Sequence, residues 1–367
     1  MVIIIKPTHL CNLRCKYCFV GDKRQEKDIM SLDFAKLIIS KIKTYLISKK
    51  HKNVKFVWHG GEPLLWGHDN YHNILEFCEK EFADFKIKHT MQTNLTLLDQ
   101  EYIDIFKKYD VKLGFSMDGF GKYNDITRIK ADGTGSFDTI FDKYKLCKKN
   151  GLRPGAIIVL TKFNKDYIKE IYHFYSQNKI HFKLNPVFNF GAAEDCYSKL
   201  GVTVDEYAKA MIDLFDLWID DMETGIEITN LKEIASNIIT RKTSLCTLKK
   251  NCQFNFISIA PNGDVYPCGR FHADSKYVIG NISTDSMENI METKQNSVIQ
   301  NRHLFIEKSD CSKCKYLDIC YGGCVHDAII AYGSPNNKTG LCKAYKLIFS
   351  HIEDVIKHKL PKQHFTN

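Results

Sequence analysis

Short apolar runs alternate with amphipathic stretches along residues 2 to 190. In the amphipathic stretches, apolar residues recur at every third or fourth position, as they do from Ser31 to Tyr45 and near 70–84, 99–108, 136–150 and 164–178. Runs of strand length that alternate with helical stretches predict a parallel sheet covered by helices. The six predicted strands are Val2–Lys6, Val54–Trp58, Ile87–Gln92, Val111–Met117, Gly155–Thr161 and Phe182–Val187.

The repeated strand and helix order indicates a fold class. We predict an α/β fold with an open, partial (β/α)6 TIM-like barrel over residues 1–190, in which functional side chains lie at the C-terminal ends of the strands. From 191 to 245 the pattern becomes helical, with one helix predicted for Thr203–Glu223 and a second over 231–241. This segment is interpreted as a helical bridge, and it leads to a cysteine-rich third segment, 246–367.

The composition restricts the class of protein. Of the 367 residues, 44% are hydrophobic and 26% are charged, which is ordinary for a globular domain. No run approaches the ~20 apolar residues of a membrane helix, and the first strand ends too soon for an export signal, so we expect a cytoplasmic protein without a membrane partner. The net charge of +9 comes from lysines scattered over predicted helices, so we expect no nucleic-acid partner either.

The 14 cysteines change this picture, because a reducing compartment disfavours disulfides and favours metal ligation. Three of them, Cys11, Cys15 and Cys18, stand close together just after the first predicted strand. Metal centres of the all-thiolate kind normally take four sulfurs, so three cysteines leave one position open for chemistry. Two alternatives are a chance group of buried thiols and a zinc site completed by a distant ligand such as His9.

This spacing, with Tyr17 directly before the last cysteine, resembles the signature of the radical SAM superfamily. The resemblance implies that Cys11, Cys15 and Cys18 hold a [4Fe-4S] cluster whose fourth iron binds S-adenosylmethionine (SAM), and that Tyr17 contacts the cofactor. In that family one electron splits SAM into methionine and a 5′-deoxyadenosyl radical, which removes a hydrogen atom from the substrate.

Polar motifs follow three of the predicted strands. Gly60, Gly61 and Glu62 follow the second strand, and they resemble the family motif that holds the SAM amino group. Glycines allow close backbone approach to a ligand, and a carboxylate accepts hydrogen bonds from an ammonium group. The resemblance also implies further contacts to SAM, namely Asn94 to the ribose and the pair Ser116 and Arg128 to the carboxylate.

Eight more cysteines lie after residue 245, enough for two complete four-ligand centres. All except the first match the seven-cysteine pattern of the SPASM domain, which binds auxiliary [4Fe-4S] clusters in radical SAM enzymes that modify peptides. The resemblance implies three [4Fe-4S] clusters in all, one SAM-binding and two auxiliary. We assign Cys246, Cys252, Cys268 and Cys324 to one auxiliary cluster and Cys311, Cys314, Cys320 and Cys342 to the other. Two zinc ions in a ribbon-like domain are the alternative.

The whole pattern is similar to two groups of enzymes, the anaerobic sulfatase-maturating enzymes and the maturases of ribosomally made, post-translationally modified peptides (RiPPs). Sulfatase-maturating members place a catalytic aspartate directly after the third auxiliary-cluster cysteine, whereas here Cys268 is followed by Gly269 and Arg270. We therefore favour a peptide maturase that forms an oxidative intramolecular cross-link through a thioether, carbon-carbon or carbon-oxygen bond. The sequence does not identify the general base.

The expected partners are a ribosomally made precursor peptide and a one-electron donor such as flavodoxin or ferredoxin. The first predicted strand begins at residue 2, so we expect leader recognition to come from the barrel and bridge surfaces or from a separate protein, or not to be needed. The basic balance favours an acidic leader. The alternative functions are formylglycine formation on a sulfatase cysteine or serine and a non-enzymatic zinc-binding interaction protein.

Overall fold

The computed structural model describes residues 1–21, 27–272, 274–293, 297 and 299–359. The chain divides into two compact units, and each is described by itself. Unit 1 comprises Met1–Ser116, Thr127–Pro154 and Gln253–Ser297. Unit 2 comprises Met117–Ile126, Gly155–Cys252 and Val298–Asn367. The predicted segments 1–190, 191–245 and 246–367 follow the chain rather than this spatial division, and their boundaries remain predictions.

Unit 1 is built on a sheet with the strand order β4-β3-β2-β1-β7-β8-β9. Strands β1 to β4 are parallel, and β7 joins them by pairing in parallel with β1. The hairpin partner β8 is antiparallel to β7, as expected for the Pro261-Asn262-Gly263 turn, in which Gly263 has a φ of +90°. The strands are β1 (Val2–Ile5), β2 (Asn53–Trp58), β3 (Lys86–Thr93), β4 (Lys112–Ser116), β7 (Phe256–Ile259), β8 (Asp264–Tyr266) and β9 (Gly280–Asn281).

Helices follow the first three parallel strands of unit 1. The first begins after Ser31, whose side chain accepts a hydrogen bond from the Phe34 backbone N–H at 3.2 Å, a standard N-cap. Its buried residues recur at the spacing that the sequence predicts, so the apolar stripe is core packing. The helices of this unit are α1 (Leu32–Ser48), α2 (His68–Glu81), α3 (Gln100–Lys108), α5 (Phe137–Lys149) and α10 (Met287–Glu292).

Unit 2 contains β5 (Gly155–Leu160) paired in parallel with β6 (Phe182–Pro186). The helix predicted from Thr203 is α8, and it begins with a capping box between Thr203 and Glu206. Its helices are α4 (Lys122–Asp125), α6 (Ile168–Asn178), α7 (Tyr197–Leu200), α8 (Val204–Asp220) and α9 (Thr229–Thr240), followed by Arg302–Ile306, Leu317–Cys320, Val325–Tyr332 and Cys342–Lys359.

The predicted α/β class and the six predicted strands are confirmed, with ends that differ by at most one residue. The core at the C-terminal end of β2 is aromatic. Trp58 is fully buried, and its ring stacks on that of Trp66 with 5.9 Å between the ring centres. Its indole N–H donates to His89 Nδ1 at 3.3 Å. Burial lowers the pKa of His89 to about 4, so this imidazole is neutral and accepts the bond.

None of the helices within the described residues is long and apolar enough to cross a membrane.

Candidate active site and auxiliary cysteines

The cysteine loop after β1 is held by backbone pairing with the segment around Arg128. Arg14 donates its backbone N–H to the Ile129 carbonyl oxygen at 2.7 Å, and Lys16 donates to that of Thr127 at 3.0 Å. Leu13 forms an antiparallel bridge with Lys130. The cysteine loop and the segment around Arg128 therefore run side by side. Arg128 lies opposite Cys15, the residue between Arg14 and Lys16.

Arg128 joins two of the predicted site residues. Its Nη1 donates to Cys15 Sγ at 3.7 Å, and its guanidinium carbon lies 5.5 Å from the centre of the Tyr17 ring. A cation over an aromatic face at this distance is attracted by the ring electrons. The arginine is 7% exposed, so its charge is buried rather than at the surface.

Gly60 and Gly61 allow a close approach, but to the chain's own backbone. A Cβ atom on Gly60 would lie 2.2 Å from the Thr8 carbonyl oxygen, and one on Gly61 would lie 2.0 Å from that of His9. Gly60 also has a φ of +145°, which side chains disfavour. The absence of side chains at both glycines therefore allows the turn after β2 to pack against the backbone of the segment that leads into Cys11. Their contact with SAM remains a prediction.

Glu62 is fully buried and accepts three hydrogen bonds from the protein. Oε1 accepts from the Leu64 backbone N–H at 3.0 Å and the Thr93 hydroxyl at 2.6 Å, and Oε2 accepts from the Asn94 backbone N–H at 2.7 Å. Burial raises the pKa of Glu62 to about 7, although these hydrogen bonds oppose the rise. The carboxylate thus ties the end of β3 to the turn after β2, a role that the sequence did not indicate.

Asn94 ties the end of β3 to the cysteine loop. Its Nδ2 donates to Asn12 Oδ1 at 2.9 Å and to Cys11 Sγ at 3.9 Å, while its Oδ1 accepts from the Thr96 hydroxyl at 2.7 Å. Asn12 in turn donates to that hydroxyl oxygen at 2.7 Å. Sequence reasoning missed Asn12 and Thr96, although Asn12 stands inside the cysteine motif, where a side-chain amide next to a ligand would have been a reason to examine it.

Ser116 ends β4, and its hydroxyl oxygen accepts a hydrogen bond from Gln92 Nε2 at 3.0 Å. The serine thus bonds across the sheet to β3 while the arginine bonds to Cys15, and their shared contact with the SAM carboxylate remains a prediction. Asp118, which follows β4 in the sequence and belongs to unit 2, is fully buried and accepts from the Val159 backbone N–H at 2.9 Å. Asp118 therefore has a structural role in unit 2.

Two further buried groups, Lys6 and His272, escaped the sequence analysis. Lys6 directly follows β1 and is fully buried, with Nζ 3.5 Å from the Gly269 carbonyl oxygen and 4.8 Å from the centre of the Phe19 ring. His272 is also fully buried, and it bonds to Ser258 Oγ at 2.6 Å and makes an edge contact with His9. Neither Lys6 nor His272 belongs to a spacing motif, so no sequence pattern would have found them.

The three cysteines of the loop suit an iron-sulfur cluster. Burial, followed by the nearby Glu62 charge, raises the pKa of Cys11 to about 12, so a thiolate there needs a cationic partner such as iron. Leu13 donates its backbone N–H to Cys11 Sγ at 3.4 Å, the kind of bond that stabilises a cluster thiolate. Within the described ranges, no three His, Cys, Asp or Glu side chains converge on one ion position. A four-iron cluster binds each thiolate through a separate iron and does not require such convergence.

Four of the auxiliary cysteines surround one cavity in unit 2. The lining of this cavity includes Cys311, Cys314, Cys320 and Cys342, the set assigned to one cluster from the sequence. Burial, followed by the charges of Cys342, Cys311 and Cys314, raises the pKa of Cys320 to about 12. Of the other set, Cys246, Cys252 and Cys324 belong to unit 2 and Cys268 belongs to unit 1.

The Radical SAM superfamily profile matches residues 5–175, and the SPASM iron-sulfur cluster-binding domain profile matches residues 246–315. This chain is a radical SAM enzyme with a SPASM domain. The two domains imply [4Fe-4S] clusters and binding of SAM, as the cysteine patterns predict.

Curated relatives resemble the radical SAM enzyme over nearly its whole length. The cysteine-type anaerobic sulfatase-maturating enzyme of Clostridium perfringens (strain 13 / Type A) is 26% identical over 364 residues, which cover 95% of each chain. The serine-type anaerobic sulfatase-maturating enzyme of Bacteroides thetaiotaomicron is 25% identical over 389 residues, covering 99% of this chain and 92% of the relative.

Solved structures share its fold. The anSMEcpe structure with bound AdoMet superposes with a TM-score of 0.83 at 23% identity, covering 97% of this chain and 99% of that one. Streptococcus suis SuiB bound to S-adenosylmethionine has a TM-score of 0.67 at 21% identity, covering 93% of this chain and 77% of SuiB. At these identities the likeness concerns the fold alone.

Proposed function

We propose that this radical SAM enzyme modifies a ribosomally made peptide by forming an oxidative cross-link within it, through a thioether, carbon-carbon or carbon-oxygen bond. The observation that carries the proposal is at Gly269. The backbone carbonyl of this residue faces the buried Lys6 ammonium at 3.5 Å, where the sulfatase-maturating pattern requires a carboxylate. A cation beside a neutral peptide group cannot accept the proton that formylglycine formation releases.

A peptide substrate is supported by what the similar proteins bind. The anSMEcpe protein has been solved with AdoMet and the Cp18Cys peptide, and SuiB with its precursor peptide SuiA. The sulfatase-maturating relatives act on a protein, as their names state. A precursor peptide is therefore the class of partner that we propose for this chain, together with a one-electron donor of the flavodoxin or ferredoxin class.

We assign the first cluster to Cys11, Cys15 and Cys18, and the contacts to SAM to Tyr17, Gly60, Gly61, Glu62, Asn94, Ser116 and Arg128. When bound, this cluster and SAM supply the 5′-deoxyadenosyl radical that starts the reaction. Arg128 provides a fixed positive charge beside Cys15 for the SAM carboxylate. Glu62 and Asn94 hold the ends of β2 and β3 together, which keeps the cofactor pocket in one geometry.

Forming the cross-link removes two hydrogens from the peptide. One is transferred as an atom and ends on 5′-deoxyadenosine, and the other leaves as a proton and an electron. The proton needs a base and the electron needs a one-electron acceptor. The electron released by bond formation equals the electron consumed when SAM is split into methionine and 5′-deoxyadenosine.

Formylglycine formation is the second candidate function, and one observation favours it. The sulfatase-maturating relatives match over 95% of this chain and of their own length, whereas this chain spans 77% of SuiB. The two candidates agree on cofactors and on a peptide substrate. They differ in the product, because only formylglycine contains an aldehyde.

The experiment uses reconstituted enzyme, SAM, a chemical reductant and two substrates. The first is the Cp18Cys peptide, and the second is a candidate precursor peptide, chosen by searching the DNA around the gene of this enzyme for short reading frames. We expect the encoded peptide to lose two hydrogens without becoming reactive towards an aldehyde-specific reagent. We expect the Cp18Cys peptide to be unchanged. An aldehyde on the Cp18Cys peptide would instead assign this enzyme to formylglycine formation.

A further inference from the structure

Arg302 is a buried arginine in unit 2 that bonds to backbone carbonyls. It is 7% exposed, and all five of its N–H groups have an acceptor. Nε donates to the Pro335 carbonyl oxygen at 2.7 Å, and Nη2 donates to those of Asn337 at 2.6 Å and Gly322 at 3.0 Å. Nη1 donates to the Gly323 carbonyl oxygen at 2.9 Å and more weakly to that of Tyr321 at 3.4 Å.

Three of these carbonyls belong to the loop between Cys320 and Cys324. Its residues Tyr321, Gly322 and Gly323 have φ angles of 45°, 75° and 73°, so all three are left-handed. Such a run is unfavourable for ordinary residues and needs support from its surroundings. By binding all three carbonyl oxygens, Arg302 fixes the loop, and with it the positions of the two cysteines at its ends.

Among the residues that the structure describes, no carboxylate accepts a hydrogen bond from Arg302. Within the part of the chain that the structure describes, every hydrogen-bond acceptor of this guanidinium is a neutral carbonyl. Burial lowers the pKa of Arg302, and the neighbouring thiols raise it. An uncompensated buried charge is costly, and the neighbouring groups able to balance it are cysteine sulfurs in their thiolate form. They are those of Cys324, Cys252, Cys320 and Cys311.

Cys320 and Cys324, at the two ends of the loop whose carbonyls bond to Arg302, come from different proposed auxiliary clusters. Cys252 and Cys324 belong to the set completed by Cys246 and Cys268, whereas Cys311 and Cys320 line the cavity of the other set. We propose that Arg302 is a shared buried counter-charge that raises the reduction potentials of both auxiliary clusters. This inference rests on the cluster assignments made under the proposed function.

The physical reason is that a cluster with four thiolate ligands carries net negative charge, which increases when the cluster is reduced. A fixed cation in a poorly solvated site stabilises the more negative, reduced form. Higher potentials make the auxiliary clusters better electron acceptors, which suits a reaction whose last step releases an electron. Arg302 is therefore a positioning and tuning residue rather than a catalytic one.

The test measures potentials on full-length protein that retains only the auxiliary clusters. A Cys11→Ala/Cys15→Ala/Cys18→Ala background removes the first cluster, and iron content together with EPR-monitored redox titration reports the others. Arg302→Met removes the charge and keeps the length of the side chain, whereas Arg302→Lys keeps the charge and loses the fork. The control is Arg241→Met, because Arg241 pairs with Asp318 at the surface.

We expect Arg302→Met to lower the midpoint potential of both auxiliary clusters enough for at least a tenfold change in the ratio of oxidised to reduced cluster, about 59 mV for a one-electron couple. Arg302→Lys and Arg241→Met should stay near the background value. If Arg302→Met fails to bind iron while Arg302→Lys binds it, the charge is required and the inference is supported.

Two results would overturn the inference. One is an unchanged potential in iron-loaded Arg302→Met. The other is an Arg302→Lys variant that folds, as judged by circular dichroism, yet binds no iron, because geometry rather than charge would then be the requirement. Failure of the proposed cofactors is distinguishable, since the background protein itself would then contain no iron before any change at Arg302.

Discussion

Arg128 donates a hydrogen bond to the Cys15 sulfur at 3.7 Å, although 113 positions separate the two residues in the chain. The pairing of Leu13 with Lys130 creates this contact. It places a permanent positive charge beside a predicted cluster ligand. The same guanidinium lies over the Tyr17 ring, so three residues that the sequence proposed separately form one group.

Replacing Arg128 by lysine should weaken SAM binding at least tenfold, which corresponds to about 1.4 kcal/mol. Lysine retains the charge but cannot form the planar, two-point contact with a carboxylate. Equilibrium dialysis with SAM on reconstituted protein measures the effect. Arg153→Lys, at an exposed position, is the matched control and should bind SAM like the unmodified enzyme. Equal affinity of both variants would remove Arg128 from the SAM site.

Gly61→Ala should destabilise the protein by about 1–3 kcal/mol, because the added Cβ would lie 2.0 Å from the His9 carbonyl oxygen and the backbone must move. The same shift should reduce the iron bound by Cys11, Cys15 and Cys18. Urea unfolding and iron analysis measure the two effects. Gly155→Ala is the control, since its Cβ would meet nothing closer than 3.6 Å. A Gly61→Ala variant as stable as this control would contradict the packing described here.

Glu62 should make stability depend on pH. Burial raises its pKa from 4.5 to about 7, so the folded chain binds more protons than the unfolded chain between these values. The contribution of Glu62 to the free energy of unfolding is then fully present below pH 4.5, falls as the pH rises, and is lost above pH 7. The loss is up to ~3 kcal/mol, from 1.36 kcal/mol for each unit of pKa.

Urea unfolding of the metal-free protein across this range tests the effect. The Glu62→Gln side chain cannot titrate. The free energy of unfolding of this variant should therefore rise relative to that of the unmodified protein as the pH increases. Glu101→Gln, whose carboxylate is mostly exposed, should follow the unmodified protein. A constant difference between Glu62→Gln and the unmodified protein would mean that Glu62 is ionised throughout.

Removing one auxiliary cysteine should release all the iron of the cluster to which it belongs. Fully loaded enzyme should hold about 12 irons, and Cys342→Ala should reduce this to about 8. Adding Cys311→Ala should cause no further loss, because both cysteines line the same cavity. Adding Cys268→Ala instead should reduce the count to about 4. Iron and sulfide analysis decides the matter, and a further drop in the Cys342→Ala/Cys311→Ala variant would show that the assignment is wrong.

Gly269→Asp should introduce the carboxylate that formylglycine formation requires. The new Cβ would lie 3.2 Å from Ile4 Cδ1, a contact that a flexible side chain can relieve. We expect this variant, unlike the unmodified enzyme, to produce aldehyde on the Cp18Cys peptide. Gly269→Asn is the matched control, because it has nearly the same shape without the charge. Equal aldehyde yields from both variants would show that a carboxylate at position 269 does not determine which reaction the enzyme catalyses.

The sequence by itself determined the order and type of the elements. Periodicity reports which face of a segment is buried, so β1 to β6 and the main helices could be placed to within a few residues. Cysteine spacing is a local property, and it singled out the Cys11 to Cys18 loop and the cysteines after residue 245 as candidate metal ligands. Resemblance supplied the cofactors and the division of the later cysteines into two sets, and these ligand roles remain predictions.

Only the tertiary structure decided which distant groups meet. It brought Arg128 to Cys15, gave Glu62 three protein donors, paired β7 with β1, and surrounded Arg302 with the carbonyls of a loop between two cysteines. These contacts join residues far apart in the chain, and no periodic pattern encodes them. They form because buried polar groups must find partners, and the partners available depend on how the whole chain packs.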